Sequence, residues 1–224
     1  SHHALAKALL EAGKDVFVEK PLALGVAQAE ELVRLARERD RILMVGHLLL
    51  YHPAVRHLKG MVERGELGEL LYIYSQRVNL GKVRRDENAL WSFAPHDLSV
   101  ILHLVGAEPV DVVARGSAFL QPSVEDVVFV DLRFPDGRLA HVHVSWLDPH
   151  KLRKFTVVGT RKMVVFDDME ASEKLRVYDK GVDRVGEVVS YGDALTVRSG
   201  DILIPRISLQ EPLRLECLHF VECI

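Results

Sequence analysis

The stretch Val16-Phe17-Val18-Glu19-Lys20-Pro21 constrains this chain more than any other. Three apolar, β-preferring residues run into a charged pair closed by proline. Such a run suits a strand buried on both faces, as in parallel sheets. Pro21 has no N–H to offer a ladder, so it cannot continue a central strand. Glu19 and Lys20 are therefore predicted at the strand's carboxyl end, the edge where open α/β sheets bind ligands. An isolated Glu-Lys-Pro is more often a solvated turn. The flanking segments decide between the two readings.

Before this strand, Ala4, Leu5, Ala8, Leu9 and Leu10 have helical spacing from about His3 to Ala12, and Gly13 stands where helices end. After it, Val26, Ala29, Leu32, Val33 and Ala36 form one stripe over residues 26–39. Glu30, Glu31, Arg34, Arg37 and Glu38 cover the other side. Arg41 to Gly46 then reads as a second buried strand. Helix, strand, helix, strand implies parallel strands joined by helical crossovers, the second half of a doubly wound nucleotide-binding fold. The first half of such a fold carries Gly-x-Gly-x-x-Gly, and no such motif occurs in these 224 residues. The chain also ends inside a helical pattern that starts at Glu211, with Leu213, Leu215, Leu218, Phe220 and Val221 as its apolar positions. The expectation is an internal fragment, lacking roughly the first two βα units and inactive by itself.

Beyond His52 the pattern changes. Residues 52–64 read as a helix with Pro53 near its start. Glu69 to Leu80 alternates apolar and polar residues, as a strand with two different faces does, and Arg77 and Asn79 share one face. Pro95 is predicted to open a helix, which puts His96 and Asp97 in its first turn. Strands are predicted at 110–119, 124–134, 138–146, 155–158 and 163–166, with Phe134-Pro135-Asp136-Gly137 as a hairpin turn. The fold class expected is α/β: the second half of a Rossmann-type sheet over 1–47, then an α+β domain over 48–224 with a large, mostly antiparallel, open-faced sheet.

Composition excludes several classes. Twenty-nine basic residues against 32 acidic ones give a net charge of -3, which offers no electrostatic case for nucleic acid or an anionic membrane. No apolar run approaches the roughly eighteen residues of a membrane span. Cys217 and Cys223 build no disulfide framework, which points to a reducing cytoplasm. His141 and His143 share a strand face, but no third ligand stands near them in sequence, so no metal is expected.

Residues 13–23, then Val45-Gly46-His47, Tyr51-His52-Pro53, Gly65-Glu66-Leu67-Gly68 and Leu90-Trp91-Ser92-Phe93-Ala94-Pro95-His96-Asp97, form an ordered set. This set resembles the Gfo/Idh/MocA oxidoreductases along the whole chain, most weakly after residue 168. The runs at Arg77–Gly81 and Leu90–Asp97 are most similar to the branch of UDP-N-acetylglucosaminuronate 3-dehydrogenases. The resemblance implies NAD or NADP as cofactor, NAD favoured. It implies hydride transfer at a sugar hydroxyl carbon, at C3 of a UDP-N-acetylated sugar or sugar acid. The family role of a ligand-sensing regulator, or of a scaffold, is the alternative.

Such chemistry needs a base for the hydroxyl proton and a cation beside the developing oxyanion. The resemblance assigns Lys20 as the catalytic cation, with a cis bond before Pro21, and His96 as the base. At a helix start His96 would be held neutral near pH 7. The family's usual aspartate one turn earlier is Ser92 here, and Asp97 follows His96 instead. Glu19, Lys20, Pro21, His2 and His47 fall at cofactor-binding positions. Tyr51, Arg77, Asn79, Asn88, Trp91 and Asp97 fall at substrate-binding ones. The expected partners are a sugar or nucleotide sugar and further copies of the chain, as a dimer or tetramer through the open sheet face.

Overall fold

Val16–Glu19 forms β1 and Leu43–Gly46 forms β2. They pair in parallel, with Val16 opposite Leu43 and Glu19 opposite Gly46. The structure, a computed structural model, describes residues 2–81, 83–184, 195–208 and 210–224. Helix α1 (His2–Glu11) precedes β1, and α2 (Val26–Glu38) makes the crossover. No side chain caps the start of α2. Burial of Leu32 and Ala36 against Ala6, Leu10, Val16 and Val18 holds it in place, which is how most short helices are stabilised.

A single-turn 3-10 helix at Leu48–Tyr51 leads to α3 (Pro53–Glu63). Then come β3 (Leu70–Val78), α4 (Ala89–Val105), β4 (Asp111–Ser117), β5 (Val127–Arg133), β6 (Leu139–Ser145), β7 (Leu152–Gly159) and β8 (Met163–Asp167). The last elements are β9 (Leu175–Arg184), β10 (Leu195–Leu203) and α5 (Pro212–Cys223). Eight strands form one sheet in the order β10-β9-β8-β7-β3-β6-β5-β4. Only β3 and β6 run parallel among its pairs. The large, mostly antiparallel sheet and the short parallel one are the fold class the alternation pattern implies.

Three features differ from expectation. The chain divides into two compact units, residues 1–52 with 210–224, and residues 53–209. The boundary expected at 47/48 had placed the C-terminal helix in the second unit. In the structure it belongs to the first, where Phe220 stacks on Phe17 with ring centroids 5.7 Å apart. Strands β9 and β10 extend the sheet past the last predicted strand. In β10, Val197, Ile202 and Leu203 are all exposed, which leaves that strand without the one-sided apolar signal that marks a strand in sequence.

The third difference is α4. It starts at Ala89, not at Pro95, because Asn88 caps it: the Asn88 Oδ1 accepts from the Trp91 N–H at 3.1 Å. Pro95 lies inside the helix. Proline there removes one helical hydrogen bond. Ala89 and Ala94 before it and Val100, Ile101 and Leu104 after it are all buried, so tertiary packing carries the helix through the break. Gly106 ends it in the left-handed region, φ 70°.

The end of β7, which lies between β8 and β3, turns on a close approach. A Cβ at Gly159 would overlap the Leu67 carbonyl oxygen, where backbone has no freedom to move aside. Gly159→Ala is expected to lower stability by about 1–3 kcal/mol, the usual cost of overpacking. Urea unfolding checks this, and an unchanged midpoint would show that the 67–69 turn adjusts freely.

Candidate active site

The carboxyl edge of β1 and β2 gathers the polar residues of the first unit. The Lys20–Pro21 peptide is cis. The His2 Nδ1–H donates to the Pro21 carbonyl at 2.7 Å, which ties α1 to this segment. The Glu19 carboxylate lies across Gly46: its Oε2 is 3.2 Å from where a Gly46 Cβ would stand. A glycine opposite Glu19 thus gives the side chain a floor to lie on. Lys20 is half-buried. His47 follows β2 directly, and its Nδ1 is buried with no hydrogen-bond partner among the described residues. Burial pushes the His47 imidazole pKa down, which favours the neutral ring.

Helix α5 closes over this edge. The Tyr51 hydroxyl and His219 Nδ1 are hydrogen-bonded at 2.7 Å. Tyr51, expected to meet substrate, therefore spends its hydroxyl on α5. One turn earlier stands Glu216, the one fully buried residue of α5. Neither of its carboxyl oxygens has a hydrogen-bond partner among the described residues. Burial first, and the Glu19 charge second, push its pKa up to about 7. Sequence reading passed over Glu216, because it sits among Leu213, Leu215, Leu218 and Val221, which suggest an apolar stripe. In the structure Leu213, Leu218 and Val221 are exposed.

In the second unit a buried ion pair joins β3 to α4. Arg77 donates through Nε to Asp97 Oδ2 at 2.8 Å and through Nη2 to Asp97 Oδ1 at 3.1 Å. The two residues are 7% and 3% exposed. Burial alone would lower the Arg77 pKa, but the charge and hydrogen bonds of Asp97 outweigh it and raise the value. Both residues were expected at substrate; the structure turns them to each other, since each neutralises the other's charge in a site closed to water. Asn88, another expected substrate ligand, is the cap of α4, and its Nδ2 donates to Glu125 Oε2 at 2.7 Å. Trp91 is exposed in the first turn of α4. Asn79 follows β3, its Oδ1 buried and without a partner among the described residues.

His96 is half-buried in the middle of α4, adjacent to Asp97. With the helix starting at Ala89, His96 lies past the first turn. The dipole effect expected at a helix start fades within that turn and does not reach His96.

His143 stacks on Phe129 with centroids 4.5 Å apart, and the His141 Nδ1–H donates to Asp131 at 2.7 Å. Among the described residues no group of three or more histidine, cysteine or acidic side chains is placed to hold a metal. Tyr72, Phe129 and Leu139 are exposed on the same sheet face, and Val112 and Val113 on its outer strand β4.

Comparison with known proteins follows this division of the chain. Residues 1–47 match the NAD-binding Rossmann-fold model of an oxidoreductase family, GFO/IDH/MocA. Residues 55–165 match the GFO/IDH/MocA C-terminal domain. A curated UDP-N-acetylglucosamine 3-dehydrogenase from Acidithiobacillus ferrooxidans is 27% identical over 209 residues, 92% of this chain and 64% of the relative. A 2,7-anhydro-N-acetylneuraminate hydratase from Mediterraneibacter gnavus is 26% identical over 75% of this chain and 48% of its own length. The chain thus spans less than two thirds of either. A solved structure of the Acidithiobacillus ferrooxidans 3-dehydrogenase superposes with a TM-score of 0.79 at 26% identity, covering 99% of this chain and 66% of that one. A parallel β-α-β unit whose first strand runs into Glu-Lys-Pro, followed by an eight-stranded mixed sheet, with both domain models matched in order, places the chain in the Gfo/Idh/MocA oxidoreductase family.

Proposed function

We propose that the protein acts as an NAD-dependent dehydrogenase on a hydroxyl carbon of a sugar or nucleotide sugar, with C3 of a UDP-N-acetylated sugar as the substrate position to test first. The observation that carries this is Lys20, half-buried at the carboxyl end of β1 with the cis Pro21 behind it. An ammonium there meets a developing oxyanion without reorganisation. The residues fit the nicotinamide end of the cofactor. Glu19, Lys20, Pro21, His2 and His47 would hold it, and the orphaned Nδ1 of His47 is a buried polar atom that a ligand amide or hydroxyl can satisfy. NAD, when bound, accepts the hydride from the carbinol carbon. His96 takes the hydroxyl proton, and the Arg77–Asp97 pair fixes the rotation of α4 that aims it. Trp91 and Asn79 remain as sugar contacts. The exposed apolar face around Phe129 and Tyr72 supports assembly of copies through the open sheet.

The test is NADH formation by the full-length protein with UDP-N-acetylglucosamine, inositols and simple sugars. Formation with the nucleotide sugar supports the reading; no NADH with any of them sinks it. A product gained or lost by water with no net NADH would move the assignment to the reaction named for the Mediterraneibacter gnavus relative. Binding of a sugar without turnover would favour a sensor. For His96→Asn, turnover is expected to fall about 100-fold or more near neutral pH and to recover partly at high pH, where hydroxide replaces the base. A pH–rate profile parallel to the wild type would remove His96 from proton transfer.

A further inference from the structure

An amphipathic helix normally buries its apolar stripe. Helix α5 instead buries a carboxyl, Glu216, and leaves Leu213, Leu218 and Val221 exposed. The two contacts that seat α5 flank this group. His219, three residues on, bonds Tyr51, and Phe220, four residues on, stacks on Phe17. Spacings of three and four put all three side chains on one helical face. Glu216 is therefore driven in by its neighbours on both sides, towards Glu19 of β1 and the His47 backbone after β2.

A buried carboxylate with no hydrogen bond carries a desolvation cost of several kcal/mol. The charge of Glu19 adds repulsion, and protonation of Glu216 relieves it. From the sheet edge, Glu19 of β1 and the His47 backbone at the end of β2 act on Glu216; Lys20 follows Glu19 in the chain, and Tyr51 of the 3-10 helix meets the same helix at His219. On its own helix the nearest titratable groups are Cys217 and His219. Of these, the Glu19 charge acts against ionisation of Glu216, and the His47 backbone N–H acts weakly for it. The His47 ring, kept neutral by burial, supplies no cation.

We propose that Glu216 is a positioning residue of the cofactor edge: buried in its neutral form, it keeps α5 seated on β1 and β2, holding the Glu19-Lys20-Pro21 segment in place. Its assignment to the cofactor edge rests on the function proposed above; its protonation does not. The consequence is a dependence on pH. The folded-state pKa of about 7 lies above the ordinary value of 4.5. The folded chain therefore holds a proton that the unfolded chain releases. The stability tied to this proton is complete below about pH 4.5 and is lost progressively as pH rises to about 7. Above neutrality both carboxyls are charged and α5 is pushed from the edge.

Glutamate-labelled protein allows a carbon-detected titration of the Glu216 carboxyl, with amide shifts of Glu19, Lys20 and His47 followed in the same samples. The expected midpoint is about 7, shared by the three amides. In Glu216→Gln, neutral at every pH and close in shape, the amides are expected to lose that inflection. The variant is also expected to unfold at a higher temperature than wild type at pH 8. A midpoint near 4.5, or an inflection that survives in Glu216→Gln, overturns the proposal. If the variant does not fold, the wild-type midpoint alone decides. No turnover enters this experiment. A normal Glu216 midpoint would leave the dehydrogenase reading standing, and an inactive enzyme would leave the buried proton of Glu216 standing.

Discussion

Asp97→Ala is expected to cost about 3–5 kcal/mol of stability, the scale for leaving one member of a buried ion pair alone. Arg77 is 7% exposed, and both oxygens of Asp97 accept from its guanidinium. Without the carboxylate, a buried charge that cannot deprotonate loses its counter-ion. The pair also links the end of β3 to the middle of α4, so its loss frees the helix to rotate. Because residues on a helix are about 100° apart around the axis, rotation at Asp97 moves His96 with it. The variant is thus expected to lose activity beyond what its folded fraction explains. Replacing both residues with apolar ones of similar volume is expected to restore most of the stability, since a well-packed apolar pair matches a buried ion pair. It is not expected to restore the activity if the pair aims His96. Urea unfolding of the singles and the double reads the first effect, and turnover per folded molecule reads the second. A loss under about 1 kcal/mol for Asp97→Ala would mean that Arg77 reaches water in solution.

The second large effect is at Lys20. In the full-length protein, Lys20→Ala is expected to fold normally and to lower turnover by about two orders of magnitude or more, the scale of removing a preorganised charge beside a developing oxyanion. The alanine removes a half-buried side chain from a strand end, not from the core formed by Leu10, Val16, Val18 and Leu32. Stability therefore has little reason to change. The comparison that matters is kcat against KM. A group acting in the transition state lowers kcat, while one that binds ground state and transition state alike raises KM alone. A variant whose KM rises with kcat untouched would make Lys20 a binding residue and return the question of catalysis to His96.

The β-α-β unit was legible because three signals agreed: a continuous apolar run, a stripe at helical spacing, and a proline that stops the strand. Glu19 and Lys20 stand at the carboxyl edge for the same reason, since only local geometry is involved. The start of α4 was misplaced because proline and asparagine both announce a helix start, and Asn88 outranked Pro95 once its side chain found the Trp91 N–H and Glu125. That choice changed the setting of His96 from a helix terminus to a helix interior.

Composition, the order of elements as far as β8, the Glu-Lys-Pro edge and the family were determined by the sequence alone, because each rests on near-neighbour spacing or on ordered motifs. Tertiary structure decided which polar groups face each other. Arg77 could have met a phosphate, and Asp97 a sugar hydroxyl; the crossing of α4 over β3 pairs them instead. Leu213, Leu218 and Val221 promised a buried stripe, yet α5 seats on Tyr51 and Phe17 and turns Glu216 inward. Helical periodicity ranks the faces of a helix by polarity. It carries no information on which face a distant pair of aromatic and hydroxyl contacts will select, and those contacts form only when residues far apart in the chain meet.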